Sequence, residues 1–267
     1  MPTDLAPLIA DLATEGAVLD ELLAPLTEQQ WRLPTPAEGW SIADQVSHLA
    51  YFDETALLAA TDPDRFRREA SALVDDGMDF PDRIAAAHRH RDGADLLTWS
   101  RTARHDLLAG FSDLDPATRL PWYGPDMGPA SSLTARLMET WAHGQDVADT
   151  LGVERAPTAR LKHVAHLGVQ TFAFVHRLNG RSLPTAPVRV ELEAPDGGDT
   201  WTWGPGDATD RVTGPALDFC LLVTQRRHRD DLRLTVDGDT AEGWVAIAQA
   251  FAGAPGPGRS PSDRATP

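Results

Sequence analysis

Two histidines and a glutamate have a spacing that chemistry can use. Glu139 and His143 stand four residues apart in Met138-Glu139-Thr140-Trp141-Ala142-His143. Four residues of α-helix turn through about 400° and rise about 6 Å, so both side chains leave one face as neighbours. His48, in Ser47-His48-Leu49-Ala50, can add a third donor from a facing helix. Two imidazoles and a carboxylate suit a divalent ion, zinc first, with one coordination position left open for water or substrate. Helical bundles build metal sites in this way. The bland alternative is a solvated Glu–His pair making a mild favourable contact. Of the other histidines, His163 and His166 are three apart and form a second candidate pair. His88, His90 and His105 lie in arginine-rich polar surroundings and read as surface residues.

Softer candidates surround these three. Asp146 follows His143 by three and either orients a ligand, meets substrate or is a solvated helix charge. Asp53 and Glu54 come five and six residues after His48, off the face that His48 occupies. Trp40 and Trp141 read as core. The run Pro121-Trp122-Tyr123-Gly124-Pro125-Asp126-Met127-Gly128-Pro129 fits neither a helix nor a central strand and is therefore a shaped loop. It leads into the Glu139 helix, so Trp122, Tyr123 and Met127 are expected to line the entrance to the site. Arg226, Arg227, His228 and Arg229 form a basic cluster, closed by Asp230 and Asp231, of a size to hold a small anion.

The elements that must position these groups are helices in the first half. Apolar spacing predicts a helix over 4–23, and prolines at 25, 34 and 36 predict a connecting loop. Ser41 and Asp44 make a capping-box pattern that starts a second helix, running to about residue 60. Shorter helices are expected at 64–75 and 80–91, and long ones at 94–111 and from 131 or 132 to 151, before Gly152. Another helix is expected over 158–178. The period then changes to strand alternation: 187–193 and 200–203 predict a hairpin and 231–236 a third strand. Helices are expected at 214–226 and 239–252.

Composition excludes several classes. A formal net charge of −16 opposes nucleic-acid binding, which needs a cationic face. The apolar runs are too short to span a membrane, and the acidic N-terminus is unlike a signal peptide, so a cytoplasmic location is expected. The one cysteine, Cys220, excludes an internal disulfide and sits in an apolar run where it reads as a small hydrophobe. Thiol chemistry here would use a thiol that arrives as a small molecule. The sequence leaves oligomeric state undetermined.

The stretch from Thr35 to Leu49, TPAEGWSIADQVSHL, resembles the helix signature of DinB-like four-helix-bundle metalloproteins. Within that group it is most similar to the mycothiol-dependent maleylpyruvate isomerase family, whose E-x-x-x-H block is matched by Ala135–Thr150. The resemblance implies an α+β chain. It has a DinB-like metal-binding bundle over 1–155, a helix plus small sterol-carrier-protein-like α/β domain over 156–253, and a disordered tail over 254–267. It implies His48, Glu139 and His143 as metal ligands, zinc or another divalent metal as the ion, and mycothiol as thiol cosubstrate. The reaction implied is transfer to, or isomerisation of, a small electrophile. Relatives carry a Gly-Arg near the end of a C-terminal helix that brings an arginine to the active site. This chain has Gln225 where that glycine is usual, leaving Arg226 or Arg227 for the role, against a plain helix end stabilised by cations. A hydrolase using metal-bound water on the same ligands, and a non-catalytic module stapled by the metal, are the alternatives.

Overall fold

The first unit is built on four long helices with shorter ones between. They are α1 (Ala6–Leu23), α2 (Glu28–Trp31), α3 (Ile42–Thr61), α4 (Pro63–Asp75), α5 (Phe80–Ala87), α6 (Gly93–Ser112) and α7 (Pro129–Leu151). This computed structural model describes residues 4–256 and 258–262. The chain divides into two units, Met1–Arg155 and Ala156–Pro267.

Local chemistry sets the helix ends. The Ser41 side chain accepts from the Asp44 amide, and Asp44 accepts from the Ser41 amide at 2.8 Å, closing a reciprocal cap on α3. Proline opens α7, where the missing N–H has no partner to lose, and Gly152 ends it at φ 66°, a left-handed conformation that suits glycine. Helix α2 lies within the expected loop. Its cause is a second capping box, Thr27 with Gln30, which nucleates one turn.

Helix α3 is buried on nearly every face. Ile42, Val46, Leu49, Ala50 and Ala56 are 0–1% exposed, and Leu19, Leu23, Trp31, Leu96 and Val147 pack around its first turns. Each fully buried leucine contributes about 2 kcal/mol from apolar transfer. Gly93 opens α6 flat against Trp31, because a Cβ there would meet the indole at 2.3 Å.

The second unit is a small mixed sheet with helices, so the chain as a whole is α+β. Its elements are α8 (Leu161–Gln170), α9 (Phe172–Leu178), β1 (Val188–Glu193), β2 (Thr200–Trp203), β3 (Asp210–Pro215), α10 (Ala216–Val223), β4 (Thr235–Asp237) and α11 (Asp239–Val245). The sheet order is β2-β1-β3-β4. β1 pairs antiparallel with β2 and parallel with β3, while β3 pairs antiparallel with β4. Val190 and Leu192 of β1 and Val212 of β3 point to the core.

Several boundaries differ from the sequence expectation. The helix expected over 158–178 is two helices, divided at Thr171. The strand expected from 231 shrinks to three residues, because Arg229–Asp231 forms a single 3-10 turn first. β3 was not expected as a strand: only Val212 and Thr213 in it are strand formers, and Asp210, Gly214 and Pro215 disfavour one. The helix expected over 239–252 stops at Val245. Its start is capped from across the sheet by Asp210, whose Oδ1 accepts from the amides of Thr240 at 2.7 Å and Ala241 at 3.1 Å. In the segment expected as a tail, Ser262 donates its amide to Asp231 at 2.9 Å. Residues 257 and 263–267 lie outside the described ones. Among the described residues no helix is long and apolar enough to cross a membrane.

Candidate metal centre

Helices α3 and α7 bring His48, Glu139 and His143 together. One donor atom from each lies within 4.8 Å of the other two, and no other group of three metal-ligating side chains forms among the described residues. Glu139 Oε2 is 3.0 Å from His143 Nε2 and 3.7 Å from His48 Nε2. Two atoms ligating one tetrahedral zinc at ordinary lengths sit about 3.4 Å apart, and these two separations bracket that value. His48 is 9% exposed and His143 8%, so the solvated-pair alternative fails.

Burial governs the electrostatics. Desolvation, and then repulsion from His143, pushes His48 down to about 4, so its imidazole is neutral at physiological pH with a lone pair to share. For Glu139 burial alone would raise the carboxyl. The neighbouring His143 and His48 rings outweigh it and hold the group well below the usual carboxylate range. A neutral imidazole and an ionised carboxylate are the ligand forms that a divalent cation requires.

Rings and amides enclose the donors. Trp40 stacks on His143 with centroids 5.8 Å apart and planes 15° from parallel, and Phe52 lies 4.6 Å from His48. Trp40 is partly exposed and its Nε1 donates to Asp82 at 2.7 Å, so it is a wall of the site and not the core residue expected. Gln45 Oε1 contacts His143 Nδ1. His48 Nδ1 is buried with no hydrogen-bond partner.

A buried ionic cluster ties the α3 and α7 ligand helices to α6. Asp53 is 1% exposed and accepts from Arg136 Nε at 2.9 Å and Arg104 Nε at 2.6 Å, while Arg104 also donates to Thr140 Oγ1 at 2.7 Å. Asp53 thus serves the arginines, consistent with its position off the His48 face.

The remaining candidates are distributed as follows. Asp146 is fully buried, which overturns its reading as a solvated charge. Trp122 and Tyr123 pack against Phe52, at 6.4 and 5.9 Å, and against Phe66 and Phe80; they stand behind Phe52 and not against the imidazoles. Met127 pairs its backbone with Leu120, closing the loop that carries both rings. His166 Nδ1 accepts from Trp203 Nε1 at 3.2 Å. Cys220 is fully buried and donates to the Leu161 carbonyl at 3.4 Å, and desolvation pushes its thiol up, so it is no nucleophile. Arg226 and Arg227 follow the end of α10. There Gln225 has φ 58°, the only positive φ of a non-glycine among the described residues. The usual glycine thus has a physical reason: the helix ends through a left-handed residue.

Sequence reasoning missed Gln45, Arg136, Arg104 and Phe52. A signal was present in α3, where Asp44, Gln45, Ser47, His48 and Asp53 put polar groups on a helix whose apolar residues cover every face. Polar side chains in such a helix must find partners inside the protein.

Residues 12–148 match the family model of the mycothiol maleylpyruvate isomerase N-terminal domain. The chain belongs to this family. The match contains His48, Glu139 and His143 and covers α3, α6 and nearly all of α7. Residues 184–235 also match the model described as Wyosine base formation, a similarity confined to the second unit. Two uncharacterized proteins of Mycobacterium tuberculosis, from strains CDC 1551 / Oshkosh and ATCC 25618 / H37Rv, are each 47% identical over 256 residues. Each alignment covers 96% of this chain and 99% of the relative. The crystal structure of the mycothiol-dependent maleylpyruvate isomerase is similar with a TM-score of 0.58, and that of a histidine-to-alanine mutant with 0.59. Both are 13% identical, over 90% of this family member and 94% of theirs. At that identity the likeness is one of fold.

Proposed function

We infer that this protein is a divalent-metal enzyme using a low-molecular-weight thiol, mycothiol, in a transferase or isomerase reaction on a small electrophile. The observation that carries this reading is the convergence of two imidazole nitrogens and one carboxylate oxygen. It occurs within a domain whose family is described by a mycothiol-dependent isomerase. His48, Glu139 and His143 would hold the ion, with zinc suited to the nitrogen-rich set. When bound, such an ion supplies Lewis acidity that favours the thiolate of a thiol at neutral pH. The chain's own groups do the rest. Trp40 and Phe52 limit water around the donors, and Phe52 with Trp122 and Tyr123 behind it offers an apolar aromatic wall to the electrophile. Asp146 is proposed to act from its buried position one helical turn beyond His143. Arg226 or Arg227 is proposed to meet an anionic group of the substrate. The buried Cys220 supports a thiol brought from outside.

The test is elemental analysis of the purified protein, followed by calorimetric titration of mycothiol into zinc-loaded and metal-free samples. One equivalent of metal, lost in His143→Ala and Glu139→Gln, and mycothiol binding only to the loaded form are expected. A protein that retains no metal, or a loaded form that ignores millimolar mycothiol, would overturn the reading. Ester and amide hydrolysis by the loaded protein without thiol would favour the hydrolase instead.

A further inference from the structure

The hydrogen bonds behind His143 run in one direction. Thr35 Oγ1 lies 2.9 Å from the carbonyl oxygen of Trp40, and a carbonyl can only accept, so the single hydroxyl proton of Thr35 is committed there. Toward Gln45 the same oxygen must then accept. Gln45 Nε2 donates to it at 2.8 Å, which fixes which end of the amide faces which way. The other end, Oε1, faces His143 Nδ1. An amide oxygen has no proton to give, so Nδ1 must carry one. In neutral His143 the lone pair is therefore on Nε2, facing Glu139 Oε2 at 3.0 Å. Two acceptors so close repel unless a positive centre lies between them.

We propose that Gln45 and Thr35 are positioning residues for the metal site: together they lock His143 in the Nδ1–H tautomer and aim its Nε2 at the ion. The proposal rests on the metal reading of the site. All the atoms are well placed for it. Gln45 is fully buried, so no water competes for its amide, and Thr35 and Trp40 belong to the segment that turns directly into the Ser41 cap of α3. His48 has no such support, since its buried Nδ1 has no partner. The two histidines are therefore inequivalent. His143 is held in advance, whereas His48 takes its tautomer from the ion. Partners of this kind orient a ligand ring and raise its basicity, and their loss typically weakens metal binding 10- to 100-fold.

The experiment measures zinc affinity by competition with a chromophoric chelator, for the wild type, Gln45→Leu, Thr35→Val and Thr35→Ser. Long-range proton–nitrogen NMR, assigned with His143→Ala, reads the tautomer. Gln45→Leu should weaken zinc by roughly 10- to 100-fold and Thr35→Val by a smaller factor, because the amide is then free to flip. Thr35→Ser, which keeps the hydroxyl, should restore wild-type affinity. Nδ1 of His143 should be protonated with and without zinc. Wild-type affinity in both Gln45→Leu and Thr35→Val, or a bare Nδ1, overturns the proposal. Should Gln45→Leu fail to fold, Thr35→Val and its serine rescue decide. If the wild type itself holds no zinc, the metal reading falls, and the protonation of Nδ1 in the metal-free chain still decides the relay.

Discussion

Trp40 lies nearly parallel to His143, 15° between planes and 5.8 Å between centroids, and it also contacts His48 at 5.1 Å. An indole so close to both nitrogen donors reports on what they hold. Addition of a paramagnetic divalent ion such as Cu(II) should quench tryptophan fluorescence in the wild type. The change should be mostly lost in Trp40→Phe, although seven of the eight tryptophans remain. Equal quenching in the variant would mean that the ion binds elsewhere.

Stability of the metal-free chain should depend on pH with a defined sign. His48 is held at about 4 against the ordinary imidazole value of 6.5, so between those values the unfolded chain binds the extra proton. Stability therefore rises with pH through that window, by up to roughly 3 kcal/mol. Glu139, held low, acts in the same direction: its contribution is present above the unfolded carboxyl value and is lost as pH falls through the folded one. Urea unfolding in chelator at several pH values checks this. His48→Leu should remove most of the slope between 4 and 6.5.

Asp53 should matter more for folding than for chemistry. Its removal strands Arg136, whose side chain is 4% exposed, and Arg104 at 13%. Asp53→Ala should therefore lose about 3–5 kcal/mol, the cost of an uncompensated buried charge. Urea unfolding would measure this, and a loss below about 1 kcal/mol would mean that the cluster behaves as a surface pair.

Gln225 is held at φ 58° after α10. Gln225→Gly should stabilise the protein by about 0.5–1 kcal/mol, because relief of the left-handed strain exceeds the loss of one long bond from Nε2 to the Ala248 carbonyl at 3.3 Å. A thermal melt that shifts down would show that the side chain, and not the backbone, governs this helix end.

The Glu139–His143 pair was legible because its information is local, and the family resemblance joined His48 to it. An i,i+4 pair faces one way on any α-helix, and the Ser41–Asp44 cap and the Gly152 stop mark the two helices that carry the donors. The hairpin of β1 and β2 was legible for the same reason, through its alternation. Elements that depend on neighbours were not. β3 is a strand because β1 and β4 flank it, and α11 starts where it does because Asp210, about 30 residues earlier, accepts from its first amides.

The sequence by itself determined which residue types could ligate a metal, which helices carry them, and that the one cysteine lies in an apolar run. Only the tertiary structure decided that Gln45 stands behind His143, that Trp40 is a wall of the site, and that Asp53 answers two arginines. Helical periodicity specifies the direction of a side chain on its own element. Its partner across 98 residues of chain, as between Gln45 and His143, is specified only when packing brings the two helices together and burial obliges each polar atom to find a match.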